Sequence, residues 1–170
     1  GTPEVIARAV IGADGAKSRV GAQCVPGADK LKCVLAYHEI VEAPANDDSG
    51  ADYQATRCDV WYQGRLSPDF YAWVFPHGKH ASIGAGSAQK SYSAPAAVAA
   101  LRRDVGLDTA TTVRREGAPI PMKPLKRWDD GRAVLLAGDA SGVVAPASGE
   151  GIYYAMLGGR LAADAVEAYL

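Results

Sequence analysis

Glycines and acidic residues alternate near the end of the chain, in a pattern that suits binding of a phosphorylated ligand. An apolar strand is predicted over residues 133–137, and it runs into Gly138-Asp139-Ala140-Ser141-Gly142. Pro146 and then Gly149-Glu150-Gly151 follow, before a helical pattern. A strand that stops at Gly-Asp presents a carboxylate at the carboxyl edge of a sheet, where open α/β sheets bind their ligands. Glycines there let backbone N–H groups approach a ligand at the positive end of the following helix.

A second strand end, Gly12-Ala13-Asp14-Gly15, follows a strand predicted over residues 5–11. One physical need explains both strand ends: an extended dinucleotide requires acceptors for its sugar hydroxyls and backbone donors for its phosphates. Asp139 suits a ribose or ribityl hydroxyl. A plain turn followed by a helix cap would also explain Gly-Asp after a strand, but not the longer spacing through Pro146 to Gly151.

Gly149 and Gly151 are predicted at a helix N-terminus, which stabilises a group that becomes negative during turnover. Reduced flavin carries such charge around its pyrimidine ring. The carboxylate of Glu150 would oppose an anion there unless it points away, and it would itself be stabilised by the helix dipole.

Three aromatic residues, Tyr71, Trp73 and Phe75, alternate along another predicted strand that Pro76 ends. Alternate residues of a strand share a face, so the three rings form an aromatic wall. This wall suits an apolar ligand such as a polyprenyl chain, although ordinary packing between sheet and helix would explain it equally. His38 and Glu39 are adjacent on a strand and face opposite ways, so they cannot form an acid/base pair with each other. Either could supply a proton to a pocket, and the sequence assigns no proton donor.

The remaining pattern predicts an antiparallel sheet followed by helices. The predicted strands cover residues 32–43, 57–63, 70–76, 81–86 and 111–116, with a hairpin at His77-Gly78-Lys79-His80. A short helical or coiled segment is predicted to start at Ser18 and Val20, and helices are predicted over residues 94–105 and from Ile152 onward. We expect the last helix to pack through Ile152, Met156, Gly159, Ala163 and Val166. Three prolines in residues 117–124 predict an ordered loop there.

These elements predict an α/β (α+β) fold: the C-terminal portion of a Rossmann-like nucleotide-binding domain with an inserted antiparallel sheet. The expected boundaries are residues 1–31 and 125–170 for the nucleotide-binding domain and 32–124 for the inserted substrate domain.

Composition excludes several functions. The formal charge of −1 gives no general attraction to nucleic acid. Three cysteines without CxxC spacing support neither a disulfide scaffold nor a zinc site, and no metal site is predicted. No apolar run approaches the roughly 20 residues of a membrane span. We therefore expect a cytoplasmic protein whose membrane contacts are peripheral.

The residues resemble the geranylgeranyl reductases, within the larger group of flavoproteins shaped like aromatic hydroxylases. Residues 12–20 resemble that family's second flavin motif, residues 138–151 its third, and Tyr71-Ala72-Trp73-Val74-Phe75-Pro76 its aromatic strand. Val25-Pro26-Gly27, Ala36-Tyr37-His38-Glu39-Ile40 and Gly117-Ala118-Pro119-Ile120-Pro121 resemble the branch that acts on chlorophyll or bacteriochlorophyll. The family's first motif, GxGxxG, which grips the ADP part of FAD, does not occur in this sequence.

The resemblance implies an FAD-dependent reductase of isolated double bonds, with NADPH as electron donor. Its substrate would be a geranylgeranylated pigment or geranylgeranyl diphosphate, and reduced flavin would deliver hydride from N5. The residues implied to hold FAD are Asp14, Gly15, Gly138, Asp139, Pro146, Gly149, Glu150 and Gly151. Tyr71, Trp73, Phe75 and Pro76 would hold the prenyl chain. Because GxGxxG is missing, we expect this chain alone to be incomplete and to bind FAD poorly.

Two alternatives remain from the sequence. Flavin-dependent halogenases and hydroxylases share the flavin motifs, and halogenases carry a similar aromatic strand, but Tyr71 and Phe75 stand where halogenases have tryptophan and isoleucine. A non-catalytic module that binds a lipid or pigment through the aromatic wall is the second alternative, supported by the missing ADP loop.

Overall fold

The computed structural model describes residues 4–44 and 52–170. They divide into two compact units. The terminal unit comprises Gly1–Cys33 and Pro119–Leu170, and the central unit comprises Val34–Ala118.

Seven strands and three α-helices make up the described fold. The strands are β1 (Val10–Gly12), β2 (Cys33–Glu42), β3 (Asp59–Trp61), β4 (Ala72–His77), β5 (His80–Ser87), β6 (Thr112–Pro121) and β7 (Val134–Leu136). The helices are α1 (Arg19–Cys24), α2 (Ala94–Asp104) and α3 (Ile152–Tyr169), with short 3₁₀ turns at Ala28–Lys30 and Gly138–Ser141. The helix predicted over residues 94–105 is thereby confirmed, and the segment near Ser18, predicted as helical or coiled, forms α1.

The terminal unit is built on a two-stranded parallel sheet. β1 pairs with β7 from Val10 opposite Val134 to Gly12 opposite Leu136. A Cβ on Gly12 would lie 2.8 Å from Leu136 and 2.9 Å from Val20, so only glycine lets α1 pack so closely on this sheet. The predicted strand over residues 5–11 is wrong in its extent. Its β-branched composition favours a strand, but the three residues of β7 provide backbone partners for Val10–Gly12 only.

Helix α3 packs through a different face from the expected one. Gly158 approaches the backbone of Gly138, with its Cβ position 3.6 Å from that nitrogen, and Ala162 is buried. Ile152 and Met156 are 75% and 72% exposed, so the prediction of a packing face through these residues is wrong. The 3.6-residue period identified a helix, but apolar residues occur on more than one of its faces, and the small residues decide the contact.

The central unit is a five-stranded sheet in the order β3-β4-β5-β2-β6. β4 and β5 form a hairpin in which His77 pairs with His80 across Gly78, whose φ is +64°, as predicted. Helix α2 covers one face of the sheet. The core on that side comprises Val41, Ala72, Val74, Ala81, Ile83 and Ala85 from the sheet and Ala97, Val98 and Leu101 from α2.

Strand β6 continues through Pro121, so the loop predicted from residue 117 onward is wrong in its first part. A central strand donates backbone N–H groups to a neighbour on each side, and proline has no N–H to donate. β6 is an edge strand, however, where such donors are not required.

Candidate functional site

Asp139 lies just beyond the end of β7, and its carboxylate is half-buried. Within residues 4–44 and 52–170, no side-chain hydrogen bond or ion pair engages it. Burial raises the pKa of the Asp139 carboxyl above its ordinary value. An acceptor that is partly desolvated and unpartnered is available to a ligand hydroxyl.

Glycines shape the backbone on both sides of Asp139. Gly138 has a φ of +60°, and a Cβ there would lie 3.2 Å from the Cβ of Ala155 in α3. At the start of α3, a Cβ on Gly151 would lie 3.1 Å from Oδ1 of Asp139. Because Gly138 and Gly151 have no Cβ, the Asp139 carboxylate and the first turn of α3 can lie against each other.

Glu150 caps α3 instead of leaving its N-terminus open. Its Oε1 accepts a hydrogen bond of 3.1 Å from the backbone N–H of Tyr153. Gly149, with a φ of +66°, donates its N–H to the carbonyl of Ala145 at 2.8 Å. The N–H groups of Tyr153 and Gly149 are thus engaged within the protein, so neither is a free backbone donor for an anion. Pro146 is exposed in the same loop.

Asp14 and Gly15 follow the end of β1, which pairs with β7 in parallel. The Asp14-Gly15 turn and the Gly138-Asp139 turn therefore lie at the carboxyl edge of the same sheet. Gly15 has a φ of +84°. The Asp14 carboxylate accepts hydrogen bonds from Oγ of Ser18 at 2.5 Å, from Arg19 N–H at 2.7 Å and from Val20 N–H at 3.2 Å. The bond from Ser18, with those from the backbone, lowers the pKa of Asp14 despite its partial desolvation. Asp14 therefore caps α1.

The aromatic side chains of the central unit form one continuous row. The ring centroids of Tyr71 and Trp73 are 5.9 Å apart, and those of Trp73 and Phe75 are 6.2 Å apart. Ala72 and Val74, which alternate with them, are buried against α2 on the opposite face. The packing between sheet and α2 therefore does not use the aromatic row, and that explanation of the pattern is wrong.

Trp73 lies over the adjacent strand and reaches a polar cluster. Its cross-strand partner is Gly84, and a Cβ there would lie only 2.1 Å from Cζ2 of Trp73. The indole Nε1 donates to Oγ of Ser82 at 3.2 Å. His38 lies on the same face, with its Nδ1 2.8 Å from Oγ of Ser82 and its Nε2 3.0 Å from Oε2 of Glu116.

The Glu39 side chain points to the other face, as the alternation predicted. There it forms a buried ion pair of 2.5 Å with Arg102 of α2, and Tyr37 donates to it at 2.7 Å. Burial by itself would raise the pKa of Glu39. Hydrogen bonds from Tyr37, Arg102, Arg115 and Thr112 outweigh that effect and hold it below the ordinary value. Glu39 is therefore a structural anion.

Comparison with curated proteins identifies the chain. It is 58% identical over 163 residues to a geranylgeranyl diphosphate reductase of Rhodobacter capsulatus, covering 96% of this chain and 40% of that protein. The chain belongs to the geranylgeranyl reductase family. A digeranylgeranylglycerophospholipid reductase of Methanopyrus kandleri is 33% identical, over 99% of this chain and 45% of that protein. The chain thus spans less than half the length of both relatives. No protein-family model matches it.

Solved structures support the fold. A geranylgeranyl bacteriochlorophyll reductase-like protein from Thermoplasma acidophilum superposes with a TM-score of 0.76 at 21% identity, over 96% of this chain and 42% of that one. BrvH, a flavin-dependent halogenase from Brevundimonas sp. BAL3, superposes with a TM-score of 0.64 at 19% identity. The match covers 95% of this chain and 32% of that one. The mixed α/β fold is thus one that geranylgeranyl reductases share with halogenases.

The residues predicted to hold a cofactor all lie in the terminal unit, and those predicted to hold a prenyl chain all lie in the central unit. Sequence reasoning missed Ser82, Gly84 and Glu116. The hairpin predicted at His77-Gly78-Lys79-His80 contained part of that signal, because a register that pairs His77 with His80 also places Ser82 opposite Phe75 and Gly84 opposite Trp73.

Proposed function

We propose that the whole protein containing this chain is an FAD-dependent reductase that saturates isolated double bonds of a geranylgeranyl group. The group would be carried by diphosphate or by a chlorophyll-type pigment. The aromatic row of Tyr71, Trp73 and Phe75 carries this proposal, because it lies on the sheet face that α2 does not cover, in a chain of this family.

The residues near α3 fit a flavin cofactor. Asp139 offers an unpartnered, half-buried acceptor, and the glycines at 138 and 151 keep the surrounding backbone free of side chains. Asp139 would accept a hydrogen bond from a ribityl or ribose hydroxyl. Gly15 and Asp14 would shape the neighbouring turn at the same sheet edge, with Asp14 acting through its cap on α1. The ADP part of FAD would be held by residues outside this chain.

Flavin, when bound and reduced by NADPH, supplies the hydride equivalent that an alkene requires. The protein's own residues have to exclude water and hold the alkene in place, because an isolated double bond has no carbonyl that a side chain could polarise. Burial of a polyprenyl chain against the aromatic row is favourable by about 25 cal/mol for each Å² of apolar surface removed from water. Pro76, next to Phe75, would limit one end of this row.

A halogenase or hydroxylase is the second candidate, and the fold likeness to BrvH favours it over other enzyme classes. Oxygen use separates the two candidates. A halogenase or hydroxylase consumes oxygen in proportion to product, whereas a reductase forms its product without oxygen. A binding module without catalytic activity would do neither.

The cellular location is a further part of the proposal. Among the described residues, none of the helices combines the length and the apolar character that a bilayer span requires. We propose that the protein works in the cytoplasm and reaches prenyl groups in photosynthetic membranes through peripheral contact.

The deciding experiment is anaerobic turnover of the whole protein with NADPH and either geranylgeranyl diphosphate or a geranylgeranylated pigment. Mass spectrometry should show two added hydrogens for each double bond reduced. Trp73→Ala should raise KM for the prenyl substrate, whereas Leu35→Ala, which removes an exposed apolar side chain from the other face of β2, should not. Unchanged substrate mass with fully reduced flavin would contradict the proposal.

A further inference from the structure

We propose that His38 and Ser82 deliver the proton that alkene saturation requires, and that Glu116 holds His38 in position. This inference rests on the proposed reductase function, for which hydride alone is insufficient: a second hydrogen must reach the other alkene carbon as a proton.

The geometry that carries the proposal is a continuous chain of hydrogen bonds on the aromatic face of the central unit. Nε1 of Trp73 lies 3.2 Å from Oγ of Ser82, and Nδ1 of His38 lies 2.8 Å from the same oxygen. The other ring nitrogen of His38 lies 3.0 Å from Oε2 of Glu116. Ser82 is 6% exposed, and it is one of the residues that line the open groove beside His38.

Protonation of His38 changes the hydrogen bonds that the Ser82 hydroxyl donates and accepts. When Nδ1 of neutral His38 carries no proton, the Ser82 hydroxyl donates to it. When His38 is protonated, both ring nitrogens donate, to Ser82 and to Glu116. Ser82 then accepts two hydrogen bonds, from His38 and Trp73, and its own proton is free to point away from the sheet. Protonation of His38 thus converts Ser82 into an outward donor.

One alkene carbon receives the hydride equivalent, and the π-electron pair forms a C–H bond at the other carbon with the Ser82 hydroxyl proton. The Ser82 O–H bond breaks while Oγ takes the proton on Nδ1 of His38. His38 ends neutral and regains a proton from water. No oxidant or reductant is needed beyond the reduced flavin.

Water has access to His38 through an open groove of about 480 Å³ beside it. His38, Ser82, His77, His80 and Arg114 are among the residues that line the groove. Arg114 forms an ion pair of 3.2 Å with Glu116, so the charge of Glu116 is shared between Arg114 and protonated His38.

Other candidate donors are less suited. Glu39 lies on the opposite face of the sheet, in its ion pair with Arg102. His77 and His80 line the groove without a hydrogen bond to Ser82, which makes His80→Gln a matched control.

The first test measures anaerobic single-turnover reduction of the prenyl substrate by the whole protein. His38→Gln and Ser82→Ala should each lower this rate by about 100-fold or more, the usual contribution of a positioned acid. KM and flavin affinity should stay within about threefold of wild type in both variants, and His80→Gln should keep the rate within the same range. Turnover by folded His38→Gln or Ser82→Ala within about threefold of wild type would overturn the proposal.

The second test does not depend on turnover. In protein labelled with ¹⁵N-tryptophan, the indole N–H resonance of Trp73 should shift with pH at the midpoint measured for the His38 ring. Glu116→Gln, which removes the charge but keeps an acceptor, should move this midpoint and the pH profile of the rate to lower pH. Ser82→Ala should abolish the shift. A Trp73 resonance that does not respond to His38 would overturn the relay, even if a histidine variant failed to fold.

The two proposals fail in different ways. A wild-type protein that reduces no geranylgeranyl substrate contradicts the reductase function, while the coupled titration of His38 and Trp73 still decides whether the relay exists. A working reductase whose rate is insensitive to His38 and Ser82 contradicts the relay alone.

Discussion

The indole of Trp73 lies directly on Gly84, its partner across the β4–β5 hairpin, with no space for a Cβ between them. Gly84→Ala would place a methyl group 2.1 Å from Cζ2 of Trp73, so the ring must leave its position. Overpacking of this kind costs about 1–3 kcal/mol in unfolding free energy. We also expect loss of the Trp73–Ser82 hydrogen bond, visible as a shift of the Trp73 indole N–H resonance.

Gly64→Ala is the matched control for this substitution. A Cβ on Gly64 meets no atom within 4 Å, and its φ lies outside the left-handed region, so alanine should leave stability nearly unchanged. Equal unfolding free energies for the two variants in denaturant titrations would show that Trp73 does not depend on Gly84.

Local pattern predicted the elements well but not their contacts. The Gly78 hairpin and the alternation of Tyr71, Trp73 and Phe75 follow from rules that act within one or two strands. Pro121 is different, because proline in a strand is acceptable only at a sheet edge, and edge position depends on how distant strands pair. Likewise, the sequence around Asp14 does not show that Ser18 already engages its carboxylate. Nor does the sequence show that the Asp139 carboxylate has no side-chain partner among the described residues.

Arg102 should contribute strongly to stability because it neutralises buried Glu39. Its guanidinium also donates to the carbonyl of Leu107 at 3.0 Å and to Oγ1 of Thr112 at 2.8 Å. Removing one partner of a buried ion pair costs about 3–5 kcal/mol of unfolding free energy. The loss in Arg102→Met should approach that range, but it should be smaller because Arg115 still contacts Glu39. Arg103→Met, one residue later and exposed, should change unfolding free energy by less than about 0.5 kcal/mol.

A double substitution separates the charge effect from the packing effect. Glu39→Gln in the Arg102→Met background removes the uncompensated charge, so it should recover part of the lost unfolding free energy. If the double variant is as unstable as the sum of both single variants, the two residues do not interact energetically.

The pKa of Glu39 makes stability depend on pH with a defined sign. Its value in the folded protein is lowered, so its contribution is present above the ordinary glutamate pKa and is lost as pH falls through the lowered value. Unfolding free energy should therefore decrease on acidification below about pH 4.5, and Glu39→Gln should weaken that decrease. Denaturant unfolding at a series of pH values measures both effects.

Asp14 should act as a cap whose loss destabilises α1. Asp14→Ala removes the acceptor of Ser18, Arg19 and Val20, and loss of a capping side chain typically costs about 1 kcal/mol. Asp29→Ala, in the nearby 3₁₀ turn, is a suitable control because no hydrogen bond to its side chain is recorded among the described residues. Equal melting temperatures for Asp14→Ala and the wild type would contradict the capping role.

Asp139→Asn should stabilise the fold and weaken flavin binding. The folded protein raises the pKa of Asp139, so its carboxyl favours folding only below the ordinary aspartate pKa, and this contribution is lost as pH rises through the raised value. At neutral pH the half-buried charge opposes folding, so neutral asparagine should raise the unfolding free energy. That gain over wild type should disappear below about pH 4.

The same substitution weakens a hydrogen bond to a flavin hydroxyl, which corresponds to roughly a tenfold loss of FAD affinity. A variant that binds FAD as tightly as wild type would show that Asp139 does not hold the cofactor, whereas a less stable variant would show that its charge has a partner.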